Sequence, residues 1–377
     1  MKTNMDKMKN MLPALLFLLS VGLPAMAQTS KNQVVTQIRK AYAEAKQKIA
    51  DNGKKGRAPM DVSLTMNSGV QVDEDFIIND ITEVTFYFDR GNAGASTGDA
   101  GEAQCYFIVE NWTANGHLRN KEMLFDRKDG HLMFAFVHAE THAGYTTESR
   151  FYFDARGNIV EEKYKEGGVE VTDKDQTWGD VNASLILAAK YQELFEALMS
   201  APRLGASPSV PSSQFSVGTS AIANIRKTYA EAKAKIEKDS KSELPRNMQV
   251  VIRDQTWGPP MTDELNYYFD EVADQVEPDA VSIEKRCYFI SDHRHHNRMG
   301  SDLYYEYLFK PNTDSLIFSY TNAKEEGEQY EWRYYFDDNG KCIEAKTNAE
   351  EHDNGAEDKQ TAQHYLRILK MADNLLQ

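Results

Sequence analysis

Residues 38–49 read IRKAYAEAKQKI and residues 225–236 read IRKTYAEAKAKI, identical at ten of twelve positions. The matches continue in order along the chain. Thr85 to Asp89 (TFYFD) pairs with Asn266 to Asp270 (NYYFD), and Cys105 to Ile108 (CYFI) with Cys287 to Ile290 (CYFI). Leu124-Phe125 pairs with Leu308-Phe309, Leu132 to Phe136 with Leu316 to Tyr320, and Arg150 to Asp154 (RFYFD) with Arg333 to Asp337 (RYYFD). Six collinear matches with only a small drift in offset read as one unit present twice. This limits the chain to a fold that one unit of roughly 150–175 residues can form, enough for a single hydrophobic core.

The pattern within a unit predicts helix, strands, helix. Val35, Ile38, Tyr42, Ala45 and Ile49 recur at helical spacing, and Ile222, Ile225, Tyr229, Ala232 and Ile236 repeat that stripe. Short alternating runs follow at residues 60–66, 83–88, 104–110, 121–125, 132–138, 149–153 and 158–163. Asp154 to Gly157 and Asp337 to Gly340 place Asp before a bend and Gly after it, the chemistry of tight hairpin turns. Leu187, Tyr191, Leu194, Phe195 and Leu198 then form a closing helical stripe, as do Tyr365, Ile368, Leu369 and Ala372. The fold class expected is α+β: two tandem copies of a helix / antiparallel meander of about seven strands / helix unit, with both helices covering one face of a curved sheet. In element order such a unit resembles cystatin-like and nuclear-transport-factor-like folds.

The first copy is expected over 28–202 and the second over 220–377. A Pro/Ser/Gly linker at 203–219 separates them, reaching roughly 25 Å as a flexible coil. Ahead of the first copy, residues 1–27 have the form of a signal peptide. Lys2, Lys7 and Lys9 precede an apolar run from Leu12 to Leu19, and Ala25-Met26-Ala27 supplies a small-x-small cleavage site. The apolar run is too short for a membrane span, so a periplasmic or extracellular chain without an integral membrane segment is expected. Without residues 1–27 the chain carries 40 basic against 57 acidic residues, a net charge of −17. That balance excludes nucleic acid as a partner, because no basic face is available to displace counterions. Cys105, Cys287 and Cys342 are too few for a disulfide framework, with a Cys287–Cys342 bond left open.

Motifs for chemistry are missing: no phosphate loop, no dinucleotide fingerprint and no nucleophile elbow occurs, so no cofactor is expected. His293, His295 and His296 are the sharpest metal-ligand cluster, placed in a connection after the Cys287 strand. His138 and His142 flank Glu140 without forming the zinc-protease pattern. Arg39 and Arg226, Glu44 and Glu231, Arg150 and Arg333, and Glu161 and Glu344 are polar residues kept in both copies. They either pair across strands or line a polar site in each copy. Tyr87, Tyr152, Tyr268 and Tyr335 are the middle residues of aromatic strand triplets. Alternation puts them on the face opposite their neighbours, where with Arg150 and Arg333 they are the candidate ligand-binding residues. The leading expectation is a non-enzymatic binding protein of the bacterial-type cell envelope, its partner a protein, peptide or glycan. A hydrolase with a carboxylate or histidine site in one copy and a structural envelope component are the alternatives.

Overall fold

The computed structural model describes residues 11–54, 60–71, 77–91, 101–114, 117–140, 143–172, 181–200, 219–242, 245–255, 261–277, 280–296, 301–325, 327–348 and 355–376. Helix α1 (Met11–Asp51) leads into strands β1 (Asp61–Gln71), β2 (Ile77–Arg90), β3 (Ala103–Ala114), β4 (His117–Phe125), β5 (Leu132–Glu140), β6 (Thr146–Phe153), β7 (Ile159–Glu166) and β8 (Val169–Val171), then helix α2 (Val181–Met199). The second half runs α3 (Thr219–Asp239), β9 (Asn247–Asp254), β10 (Met261–Glu277), β11 (Ala280–His296), β12 (Ser301–Phe309), β13 (Leu316–Glu325), β14 (Glu328–Phe336), β15 (Cys342–Thr347) and α4 (Ala356–Leu376). The α+β antiparallel reading holds, with eight strands in the first half and seven in the second among the described residues. Most of the linker lies outside the described residues. Among the described residues no helix is long and apolar enough to cross a membrane.

All fifteen strands form one antiparallel sheet, in the order β15 to β9 and then β1 to β8. The halves join through their first strands, Leu64 of β1 facing Val250 of β9. Both strands alternate apolar and polar residues, so in this register Val62, Leu64 and Met66 meet Ile252, Val250 and Met248 on one face. Arg253 to Asp61 at 2.7 Å and Asn67 to Asn247 at 2.9 Å tie the seam, and Arg90 reaches across to Asp254 at 2.7 Å.

The helices do not share a face, which corrects the one-sided arrangement expected and departs from a cradled-helix layout. Both α2 and α4 lie on one side and touch each other; His364 Nε2 sits 2.9 Å from the Ala197 carbonyl. Their stripes, including Tyr191, Leu194, Phe195, Tyr365, Ile368 and Leu369, close one core that runs unbroken across the seam. On the opposite side α1 covers Tyr106, Phe107, Leu124, Phe134 and Tyr152, while α3 separately covers Tyr288, Phe289, Leu308, Phe318 and Tyr335.

Bulges recur where the second face meets its helices. In each of three hairpins per half, one extra residue interrupts the register: Tyr106, Met133 and Val160, then Tyr288, Ile317 and Ile343. Each extra residue packs into the α1 or α3 core. A bulge bends its strand and increases local twist, and three of them lie beneath each of these helices. The hairpin after β6 closes as its sequence predicts, with Asp154 Oδ1 accepting the Arg156 and Asn158 amides and Gly157 at φ 78°.

Candidate functional site

A cleft of about 380 Å³ opens between α3 and strands β13 and β14. Helix α3 supplies Ile225, Arg226 and Tyr229; the strands supply Phe318, Tyr320, Arg333 and Tyr335. Helical spacing puts Arg226 one turn from Tyr229, and strand alternation puts Phe318, Tyr320, Arg333 and Tyr335 on the α3 side. The aromatic floor is continuous: Tyr229 meets Phe318 edge-on at 5.1 Å, and Phe318 lies 5.1 Å from Tyr335.

Both arginines are held over rings. The Arg226 guanidinium is 5.6 Å from the centre of the Tyr335 ring, donates from Nε to the Tyr335 hydroxyl at 3.4 Å, and approaches Glu344 at 4.0 Å. Arg333 stands 5.5 Å over the Tyr320 ring and bonds Glu331 at 2.9 Å. At the inner end, buried Glu306 accepts from Lys233 at 2.9 Å, from Tyr304 at 2.7 Å and from the Tyr229 hydroxyl. Burial first, and then the bond to Glu306, hold the Tyr229 hydroxyl above its ordinary pKa, so it remains a donor at neutral pH.

The first half has the same contacts. Arg39 lies 5.5 Å over Tyr152 and 3.5 Å from Glu161; Arg150 lies 5.7 Å over Phe136 and 2.8 Å from Glu148. Tyr42 meets Phe134 at 5.1 Å, Phe134 meets Tyr152 at 4.9 Å, and Glu122 takes Lys46 at 2.9 Å together with the Tyr42 hydroxyl. Lys48 and Lys235 each pair with the aspartate closing an aromatic triplet, Asp89 and Asp270, and lie over Tyr106 and Tyr288. One lining position differs in kind. Tyr320 stands where Phe136 does, and its hydroxyl bonds Glu331 at 3.2 Å and Asn322 at 3.0 Å.

The candidate tyrosines do share a face, but it is not an open one. Tyr152 and Tyr335 are 5% and 4% exposed beneath α1 and α3, and Tyr87 and Tyr268 pack at the margins of the same cores. Tyrosine on a strand read as an amphipathic surface residue; the helix above it makes it core. Arg333 remains partly exposed at the cleft margin and Arg150 partly exposed at the matching position, each bonded to a glutamate two residues back on its own strand rather than to a neighbouring strand. Arg39, Arg226, Glu161 and Glu344 join them, while Glu44 and Glu231 stay on the outer helix surface beside Lys40 and Lys227. Tyr42, Tyr229, Glu122 and Glu306 were not singled out from the sequence. The tyrosines fit the apolar helix stripe, and each glutamate stands two residues before a matched Leu-Phe pair, a signal that comparing the two halves could have used.

The histidines belong to strand β11, not to a connection. His293 Nε2 and His295 Nδ1 lie 2.6 and 3.8 Å from the same Asp302 oxygen, both exposed, and the His296 side chain is outside the described residues. Among the described residues Asp126, Asp129 and His131 come close enough to share an ion. Their oxygens already serve the turn, Asp126 accepting the Lys128 amide and Asp129 the His131 amide and ring. The three cysteines are free and buried, and burial pushes the Cys105 and Cys287 thiols up, away from nucleophilic thiolate. The chain matches no family model, no curated protein and no solved structure.

Proposed function

We propose that this chain is an exported binding protein of the cell envelope, built from two copies of one unit (28–202 and 220–377) and holding its ligand in the helix-covered clefts. The observation that carries this reading is the recurrence of one arrangement in both halves. Two ring-stacked arginines, a buried glutamate fed by a lysine and a tyrosine, and an aromatic floor are set at nearly the same distances each time. Stability alone does not require half-exposed arginines on both rims, since exposed ion pairs contribute only about 0–1 kcal/mol. Guanidinium edges, tyrosine hydroxyls and carboxylates converging on an apolar floor are the features of a small-molecule or glycan subsite. The signal-like segment 1–27 supports export.

Melting of the purified chain against panels of glycans, peptides and carboxylates tests the reading. A ligand at about 100 times its dissociation constant adds roughly 2.7 kcal/mol, a readily resolved shift. The shift is expected to weaken in Arg226→Ala and Arg39→Ala. Shifts that ignore both substitutions would place binding elsewhere.

A further inference from the structure

We propose that the cleft beneath α3, and its counterpart beneath α1, take the carboxylate-bearing sugar units of an acidic polysaccharide. The inference rests on the binding reading above and adds the ligand class. Charge comes first. In a chain of net charge −15, the α3 cleft gathers Arg226, Arg333, Lys233 and Lys346 around Glu306, Glu331 and Glu344, a local excess of one positive charge. Arg226 and Arg333 are held near the Tyr335 and Tyr320 rings and beside Glu344 and Glu331. A guanidinium presents parallel N–H groups, the geometry that a planar carboxylate fills with two bonds.

Acceptors decide between a sugar and an acidic peptide. Glu331 and Glu344 remain 35% and 25% exposed at the rim. They accept hydroxyl protons from a sugar ring, donors that the side chains of an acidic peptide lack. Peptides commonly add as a strand to a sheet edge; β13 and β14 have hydrogen-bonded neighbours on both sides. Duplication then suits a polymer. The two sites lie about ten strand positions apart, roughly 48 Å along the sheet at ~4.8 Å per strand, and a repeating ligand can occupy both and gain avidity.

The test is calorimetric titration of the full chain with oligogalacturonate, with the same oligomer after reduction of its carboxyls to alcohols, and with polyglutamate of equal charge. The expected result is binding of oligogalacturonate, weaker by about tenfold or more in Arg226→Ala/Arg333→Ala, with little binding of the reduced oligomer or polyglutamate. Arg333→Gln alone, monitored for an unchanged melting midpoint, guards against misfolding of the double variant. Equal binding of the reduced oligomer, with the same loss in the variants, would overturn the carboxylate assignment and leave the clefts as neutral-sugar sites. Equal binding of polyglutamate would overturn the glycan assignment. If none of these probes binds, the ligand class fails, while a variant-sensitive melting shift with another ligand would still uphold the clefts as binding sites.

Discussion

Glu306 is 3% exposed and accepts from Tyr229, Tyr304 and Lys233. A buried carboxylate is tolerated only when its acceptor sites are filled, so Tyr229 and Lys233 help anchor α3 to the sheet. Tyr229→Phe and Tyr42→Phe are each expected to cost about 1–3 kcal/mol by urea denaturation; a neutral result in both would show that the carboxylates are satisfied without them. Asp292 is the counterpart problem on the other face. Tyr365 donates to it at 2.6 Å and Arg294 at 2.9 Å, yet burial holds its carboxyl above the usual range against the pull of Arg294. Since its folded pKa is raised, the folded state binds the proton more tightly. The stability it contributes is fully present below the ordinary carboxylate pKa and falls as pH rises through the raised value. The stability of the natural chain minus that of Asp292→Asn should therefore shrink as pH climbs across that window. A difference that stays flat or grows would contradict the assignment.

At the scale of elements, the bulges set the relation between sheet and helix. Tyr288 is the extra residue between β10 and β11 and is 8% exposed in the α3 core. Tyr288→Ala empties that space and should cost about 3–5 kcal/mol. Deleting Tyr288 should cost more, because removing one residue carries the preceding part of β11, Cys287 included, to the opposite face of the sheet. Comparing the two denaturation midpoints is the check. A deletion no worse than the alanine variant would mean that the bulge is only a way of placing one aromatic ring.

For the whole molecule, the seam between β1 and β9 decides how the halves behave. The core under α2 and α4 is continuous across it, with Leu64 and Val250 at its centre and Leu194 fully buried to one side. Two halves sharing one core should unfold together. Leu194→Ala, expected to cost about 2–5 kcal/mol, lies in the first half but should lower the midpoint reported from Trp332 in the second as much as that from Trp112 in the first. Variants keeping one of these tryptophans allow the readings to be separated. Two distinct transitions, with only the Trp112 signal moved, would mean that the halves fold independently and the seam is a contact rather than a core.

The element order was readable because its causes are local. Helical stripes such as Ile225-Tyr229-Ala232, alternating strand runs and Asp-Gly turns are settled within a few residues, and every strand segment read from the sequence is present. Part of the site was readable too. Arg39, Arg150, Glu161 and their partners in the second half stood out as charges kept at matching positions, and the fold gathers them beneath α1 and α3. What the sequence alone left undecided were the relations between elements. Triplets such as Phe151-Tyr152-Phe153 are aromatic on both faces of a strand, so alternation separates the faces without telling which helix covers which. Tertiary packing made that choice: α2 and α4 closed one shared core, and α1 and α3 took the tyrosine side. The pairing of β1 with β9 likewise required two apolar edges to meet in register, a contact between segments far apart in the chain whose free energy comes from the buried face they complete together.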